Sequence, residues 1–147
     1  MKDQRLNGYT LSNKRWRFRN REILSLLRLT YWAKDRNPET NRQSLRHSYP
    51  YGVFDPSGHL AGFLRVTSDR ATVYYLSDVV LAENIRGQGL GLALVRFALS
   101  DRKTCCGKGM LLTSTAAGLY TKVGFYGVND RLMVRDPIQK NTSASQR

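Results

Sequence analysis

Cysteine is scarce here and badly spaced for chemistry: Cys105 and Cys106 are the only two, and they adjoin. Neighbouring side chains diverge, so this pair suits neither an ordinary disulfide nor a metal site, and both thiols are expected to be reduced and structural. Histidine is equally short. His47 and His59 stand apart from any cluster of carboxylates or thiols, which leaves metal chemistry without ligands and predicts no metal. No run of about 18 apolar residues is available to span a bilayer, and the amino-terminal stretch is polar and charged, unlike a secretory signal. A soluble, cytoplasmic protein with no membrane partner is the expectation. Acidic residues are few, 11 against 24 lysines and arginines, giving a formal net charge of +13 and a pI near 10.3. Such an excess raises the question of nucleic acid. The basic residues run from Lys2 to Arg147 rather than forming one tract, however, which is the distribution of a solvated surface and makes nucleic acid the less favoured partner. Attraction of an anionic cofactor is a further use for the charge.

What is present is enough for one buried domain and too little for two: 147 residues, 41% of them hydrophobic. Gly8 to Ser12 reads as a short edge strand. The alternation of arginine with Trp16 and Phe18 that follows reads either as two aromatic rings turned inward or as a stacking surface for single-stranded nucleic acid, and the inward reading is preferred. A helical stripe at Ile23, Leu24, Leu27 and Tyr31 comes next, then a second helix from Pro38, whose fixed φ suits a first turn, to about Leu45. Tyr51 to Phe54 and Leu60 to Thr67 form a hairpin around the Asp55-Pro-Ser-Gly58 turn, and a long strand follows, ending at Leu81. Met110 to Thr113 reads as a short strand and Ser114 or Thr115 as the cap of a last helix bearing Ala116, Leu119, Tyr120 and Val123 on one face, stopped by a left-handed Gly124. A final strand is expected at Leu132 to Val134. Residues 1–137 then form the domain, and the polar residues 138–147 a disordered tail. The class is α/β, a mixed and mostly antiparallel sheet flanked by about four helices.

The centre of this arrangement is the change of periodicity between Val73 and Leu99. β-branched and aromatic residues give way to the i, i+3, i+4, i+7 spacing of Leu90, Ala93, Leu94 and Phe97. Between strand and helix stands Arg86-Gly-Gln-Gly-Leu-Gly91, in which glycines allow backbone to approach a ligand and the first helical turn offers unpaired N–H groups. This is an anion site or simply a tight connection. It lacks the Gly-Lys-Ser/Thr of a P-loop, and Leu92 stands where a dinucleotide fingerprint needs glycine. Arg86, Gly89 and Gly91 after a hydrophobic strand resemble instead the Arg/Gln-x-x-Gly-x-Gly/Ala motif of the GNAT superfamily of N-acetyltransferases, in its small, single-domain, bacterial-type branch. Downstream, Leu119-Tyr-Thr-Lys-Val-Gly-Phe125 resembles that family's Leu-Tyr-x-x-x-Gly-Phe element, at a fitting distance.

The resemblance implies acetyl-CoA as co-substrate, a small-molecule amine or amino acid as acceptor, and direct transfer. It assigns Arg86, Gly87, Gln88, Gly89, Leu90 and Gly91 to the pyrophosphate, and the backbone of Val79, Val80 and Leu81 to the pantetheine arm. Tyr120 matches the tyrosine near the cofactor sulfur and becomes the general acid. Asp78, on the strand facing the site, is either a base acting directly or through water, or a structural hydrogen-bond acceptor. Tyr31, Trp32 and Tyr49 are candidate acceptor contacts, with aromatic core packing as the alternative. Three positions depart from common family usage: Ala82, Asn84 and Thr115, the last removing a side-chain amide or carboxylate from the site. A basic GNAT-fold module that binds acyl-CoA or nucleic acid without turnover is the competing reading, and a homodimer is left open.

Overall fold

The computed structural model describes residues 1–137, and the expected polar tail lies outside the described residues. The first twelve positions make a hairpin in place of one edge strand. β1 (Gln4–Leu6) and β2 (Tyr9–Ser12) are joined by an Asn7-Gly8 turn. β3 (Tyr49–Phe54), β4 (Leu60–Ser68) and β5 (Val73–Leu81) continue an antiparallel meander, and β6 (Lys108–Met110) joins β5 in parallel, so the sheet runs β1-β2-β3-β4-β5-β6. The helices are α1 (Asn20–Leu27), α2 (Pro38–Arg46), α3 (Leu90–Leu99) and α4 (Ala117–Thr121). The mixed sheet with four flanking helices is the expected α/β architecture.

Each face of the sheet carries its own core. On one side Tyr51, Val53, Leu64, Val66 and Leu76 meet Leu90, Leu94, Val95 and Phe97 of α3, with Tyr120 of α4 in the same cluster. On the other, Phe54, Phe63 and Val80 meet Ile23, Leu26 and Leu27 of α1. Side chains alternate along a strand, so Leu76 and Val80 should share a face, and they do not. The reason is a bulge. Phe63 pairs with Val80 but Arg65 with Ser77, so Asp78 and Val79 together lie opposite Leu64. Asp78 sits at φ 59°, a left-handed conformation that aspartate tolerates better than most residues. One inserted residue inverts the register, sending Val79 and Leu81 to the α3 side and Val80 to the α1 side.

Several expectations are corrected. Only Phe18 turns inward, edge-on to Phe54 at 5.3 Å, while Trp16 is 77% exposed. Leu26 rather than Leu24 completes the buried stripe of α1, and Tyr31 lies beyond its end. β6 forms earlier than Met110 to Thr113, where Gly107 and Gly109 let the chain approach Thr72 and Tyr74. Neither Ser114 nor Thr115 caps α4. Instead the Thr113 hydroxyl accepts from the Ala116 amide at 3.0 Å. Leu132 to Val134 is apolar but is not a strand, having no paired edge among the described residues. Pro38 opens α2 and Gly124 is left-handed at φ 91°, both as expected, and Asn37 adds a cap by accepting from the Glu39 and Thr40 amides.

Candidate functional site

The strand-to-helix turn is built to leave its amides uncovered. After β5 a short helical turn, Glu83–Ile85, drives Ile85 into the core, and the Arg86 guanidinium reaches back to donate from Nε and Nη2 to the Leu81 carbonyl, both at 3.1 Å. Arg86 therefore fastens the turn to the strand end as well as bringing charge. Gly87 and Gly89 take φ 76° and 77°, and a Cβ at either would meet nothing within 4 Å. Backbone conformation and open space, not crowding, require glycine there. Gly89 is the N-cap of α3 and supplies no side chain, so the first-turn amides of a ten-residue helix face that space with the positive end of its dipole. Gly91 is different. A Cβ there would lie 3.3 Å from Leu81 and 3.6 Å from Leu119, so the end of β5, the start of α3 and α4 converge on it.

Beside this turn the sheet is split. β5 pairs with β6 only through Val73, Tyr74 and Tyr75, then continues to Leu81 with no strand on that side among the described residues. The backbone of Val79, Val80 and Leu81 thus borders an open edge that ends at the glycine turn. Across the split, Tyr120 is 7% exposed and stacks edge-on against Phe125 at 6.1 Å. Its hydroxyl has no hydrogen-bond partner among the described residues, and burial pushes its pKa above the ordinary tyrosine value, so it stays protonated at neutral pH.

Asp78 does not join Tyr120. Its carboxylate turns to the α1 and α2 face, where Arg36 donates from Nη1 to Oδ2 at 2.5 Å and from Nη2 to Oδ1 at 3.0 Å, and Arg65 donates from Nε to Oδ2 at 2.7 Å. Burial alone would raise its pKa, but the hydrogen bonds and charges of the two guanidinium groups outweigh that and hold the carboxyl below its usual range. So held, the carboxylate acts as a hydrogen-bond acceptor within this cluster. The network continues from Arg36 to Asn41 and from Asn41 to Asn20, reaching the start of α1. Arg36 and Arg65 are absent from the sequence-based candidates. One signal for Arg65 existed: a lone cation on the buried Phe63 side of β4 needs an anion, and the next strand carries one acid, Asp78.

The loop between α1 and α2 brings Tyr31 and Trp32 together, ring centroids 5.0 Å apart, at a cavity of about 290 Å³ also lined by Lys34, Asp35 and Arg36. The Tyr31 hydroxyl lies 2.9 Å from that of Ser114, which follows β6, so this loop reaches the far bank of the split. Tyr49 is not part of this group. It sits on β3 and packs against the core on the α3 side, the alternation of β3 having turned it away. Among the described residues no group of three or more His, Cys, Asp or Glu side chains is arranged to hold a metal, and no helix is long and apolar enough to cross a membrane.

Relatives with this geometry are identifiable. The profile of the acetyltransferase (GNAT) family matches residues 13–125. A solved structure from Xanthomonas campestris pv. campestris, assigned to the GNAT acetyltransferases, is 31% identical with a TM-score of 0.80, over 88% of this chain and 93% of that one. A protein of unknown function from meticillin-resistant Staphylococcus aureus, assigned as an acetyltransferase, shares the fold at 18% identity and a TM-score of 0.74, over 88% of this chain and 98% of its own. Glucosamine-6-phosphate N-acetyltransferase from Arabidopsis thaliana does so at 18% identity and 0.62, over 86% and 97%. No curated protein matches the chain. With the glycine turn, the split sheet and the tyrosine-bearing helix all inside the matched region, the chain belongs to the GNAT family of acetyltransferases.

Proposed function

We propose that this protein transfers an acetyl group from acetyl-CoA to the primary amine of a small acceptor, directly and with Tyr120 as general acid. The observation that carries the reading is the juxtaposition of an open β5 edge, an uncovered glycine turn at its end and, on the helix whose Leu119 meets that turn, a largely buried tyrosine whose hydroxyl is unpartnered among the described residues. The residues fit the co-substrate. Amides of Gly87 to Gly91 and the α3 dipole suit a pyrophosphate, Arg86 adds charge, and the free edge at Val79 to Leu81 suits an amide-bearing arm. Acetyl-CoA supplies an acyl group activated as a thioester.

The chain's own groups then have definite tasks. A backbone N–H along the bulged part of β5 stabilises negative charge developing on the carbonyl oxygen. Tyr120 donates a proton to the sulfur as the C–S bond breaks and the C–N bond forms, and recovers one from the nitrogen through water. Asp78, held by Arg36 and Arg65, positions those arginines, and the ammonium of the acceptor loses its first proton to solvent water.

Free-thiol release from acetyl-CoA across an amine panel, with calorimetry of acetyl-CoA binding, tests the reading. Absence of both binding and release sinks it. The competing module without turnover draws on Trp16, exposed among arginines. A random oligonucleotide in the same calorimeter discriminates, because charge-driven binding of nucleic acid weakens steeply with salt.

A further inference from the structure

We propose that the cavity between α1 and α2 selects amines that carry an anionic group, a carboxylate or a phosphate, with Arg36 and Lys34 binding that group. This rests on the acetyltransferase reading and names the acceptor class for it. The starting point is charge. Lys34 and Arg36 line the cavity together with Asp35, and behind Arg36 the buried Asp78 also pairs with Arg65, so the connected group of three cations and two anions keeps one positive charge in excess. Asp78 is almost wholly buried, its side chain 3% exposed, whereas the side chains of Arg36 and Arg65 keep 17% each. The anion is therefore hidden and the cations retain access to the surface.

Donor accounting points the same way. A guanidinium offers five N–H donors, and on Arg36, which lines the cavity, three hydrogen bonds from Nη1 and Nη2 go to Asp78 and Asn41 among the described residues. Its other donors remain for a ligand. Arg36 is also pre-positioned, because its two-pronged grip on Asp78 has already fixed the side chain and little entropy is left to lose on binding. Lys34, exposed on the same loop, forms no hydrogen bond among the described residues and lines the same cavity. A polyamine would set its charges against this excess, and a purely apolar amine would cover guanidinium donors without pairing them. Tyr31 joins the two sites, lining the cavity while its hydroxyl meets Ser114 across the split.

The test uses the full chain and matched probes: α-amino acids each paired with the carboxamide, 2-aminoethyl phosphate paired with 2-aminoethanol, and spermidine. Binding is read without turnover from Trp32 fluorescence in a Trp16→Phe background, since Trp32 lines the cavity and is 49% exposed. Turnover is read by thiol release. The expected result is a Kd and a KM at least tenfold lower for the anionic member of one or both pair types, the better type telling carboxylate from phosphate. Lys34→Gln, on an exposed loop, should reduce that preference threefold or more. Equal or better binding and turnover of the neutral members or spermidine overturns the proposal while leaving acetyl transfer intact. Failure of acetyl-CoA to bind, with no thiol release from any amine, overturns the acetyltransferase reading instead. A preference unmoved by both Lys34→Gln and Arg36→Lys overturns the assignment to these residues.

Discussion

Tyr120 can be tested by removing one atom. Tyr120→Phe keeps the ring and its edge contact with Phe125, so the denaturation midpoint should stay within about 1 kcal/mol of the parent while kcat falls by ~10²-fold or more and acetyl-CoA affinity is unchanged. Burial raises the hydroxyl pKa, which places any alkaline limb in kcat from this group above pH ~10. Unaltered turnover would return the role to water. Gly89→Glu asks a different question. A side chain at φ 77° costs roughly 1–2 kcal/mol of backbone strain but clashes with nothing, so the thermal midpoint should drop by only a few degrees. Acetyl-CoA binding, measured by calorimetry, should be lost, because an acid is set against the pyrophosphate. Binding within threefold of the parent would contradict the cofactor assignment. Asp78→Asn leaves Arg36 and Arg65 without a counter-charge and should cost about 3 kcal/mol in a urea titration. A catalytic base would in addition lose turnover per folded molecule, whereas a purely structural role leaves it unchanged.

At the level of elements, the decisive feature is that β5 is shared unequally between its neighbours. β4 pairs along most of its length, with the bulge at Asp78, while β6 pairs only at its first residues. The short β5–β6 junction depends on close backbone approach. A Cβ on Gly107 would lie 2.3 Å from the Thr72 carbonyl group, which cannot swing aside as a side chain can. Gly107→Ala should therefore destabilise the protein by about 1–3 kcal/mol, and hydrogen exchange should show the loss concentrated at Val73 to Tyr75. Uniform loss across the sheet would mean that the junction is no weak point. These relations explain what the sequence conceals. The β-branched and aromatic content of Val73–Leu81 reveals a strand but not the inserted residue that turns Asp78 towards Arg36 and Arg65, since a bulge leaves no compositional mark beyond one tolerant aspartate.

For the whole molecule, charge and pH are coupled through a few carboxylates. Asp69, fully exposed, accepts from the Thr72 hydroxyl and the amides of Ala71, Val73 and Thr72, and its pKa is driven well down. Asp78 is lowered as well. A carboxyl lowered in the folded state binds fewer protons there than in the unfolded chain. Its contribution is therefore present above the unfolded value of about 3.9 and is lost as pH falls through the folded one. Stability should be level from pH 7 to about 5 and decline below about 4, and Asp69→Asn should flatten the decline. Protonation adds positive charge to a chain already at +13, so salt should soften the acid limb further. A limb indifferent to Asp69→Asn would remove Asp69 from the account and leave the acid transition to the other lowered carboxyls and that repulsion.

Local order in the chain is enough to determine the strand-to-helix change around Arg86 to Gly91, the helix start at Pro38, the left-handed stop at Gly124 and the meander from Tyr51 to Leu81. Each depends on neighbours within a few residues, where periodicity and backbone preference act directly. Tertiary structure decided which side chains meet. It turned Tyr49 against the α3-side core, left Trp16 on the surface and left Leu132 to Val134 outside any strand. It also brought Arg36, 42 positions from Asp78, into a two-pronged ion pair with it. An ion pair of that kind depends on register and on the packing of α1 and α2 over the sheet, quantities fixed only when the faces of the sheet are buried together.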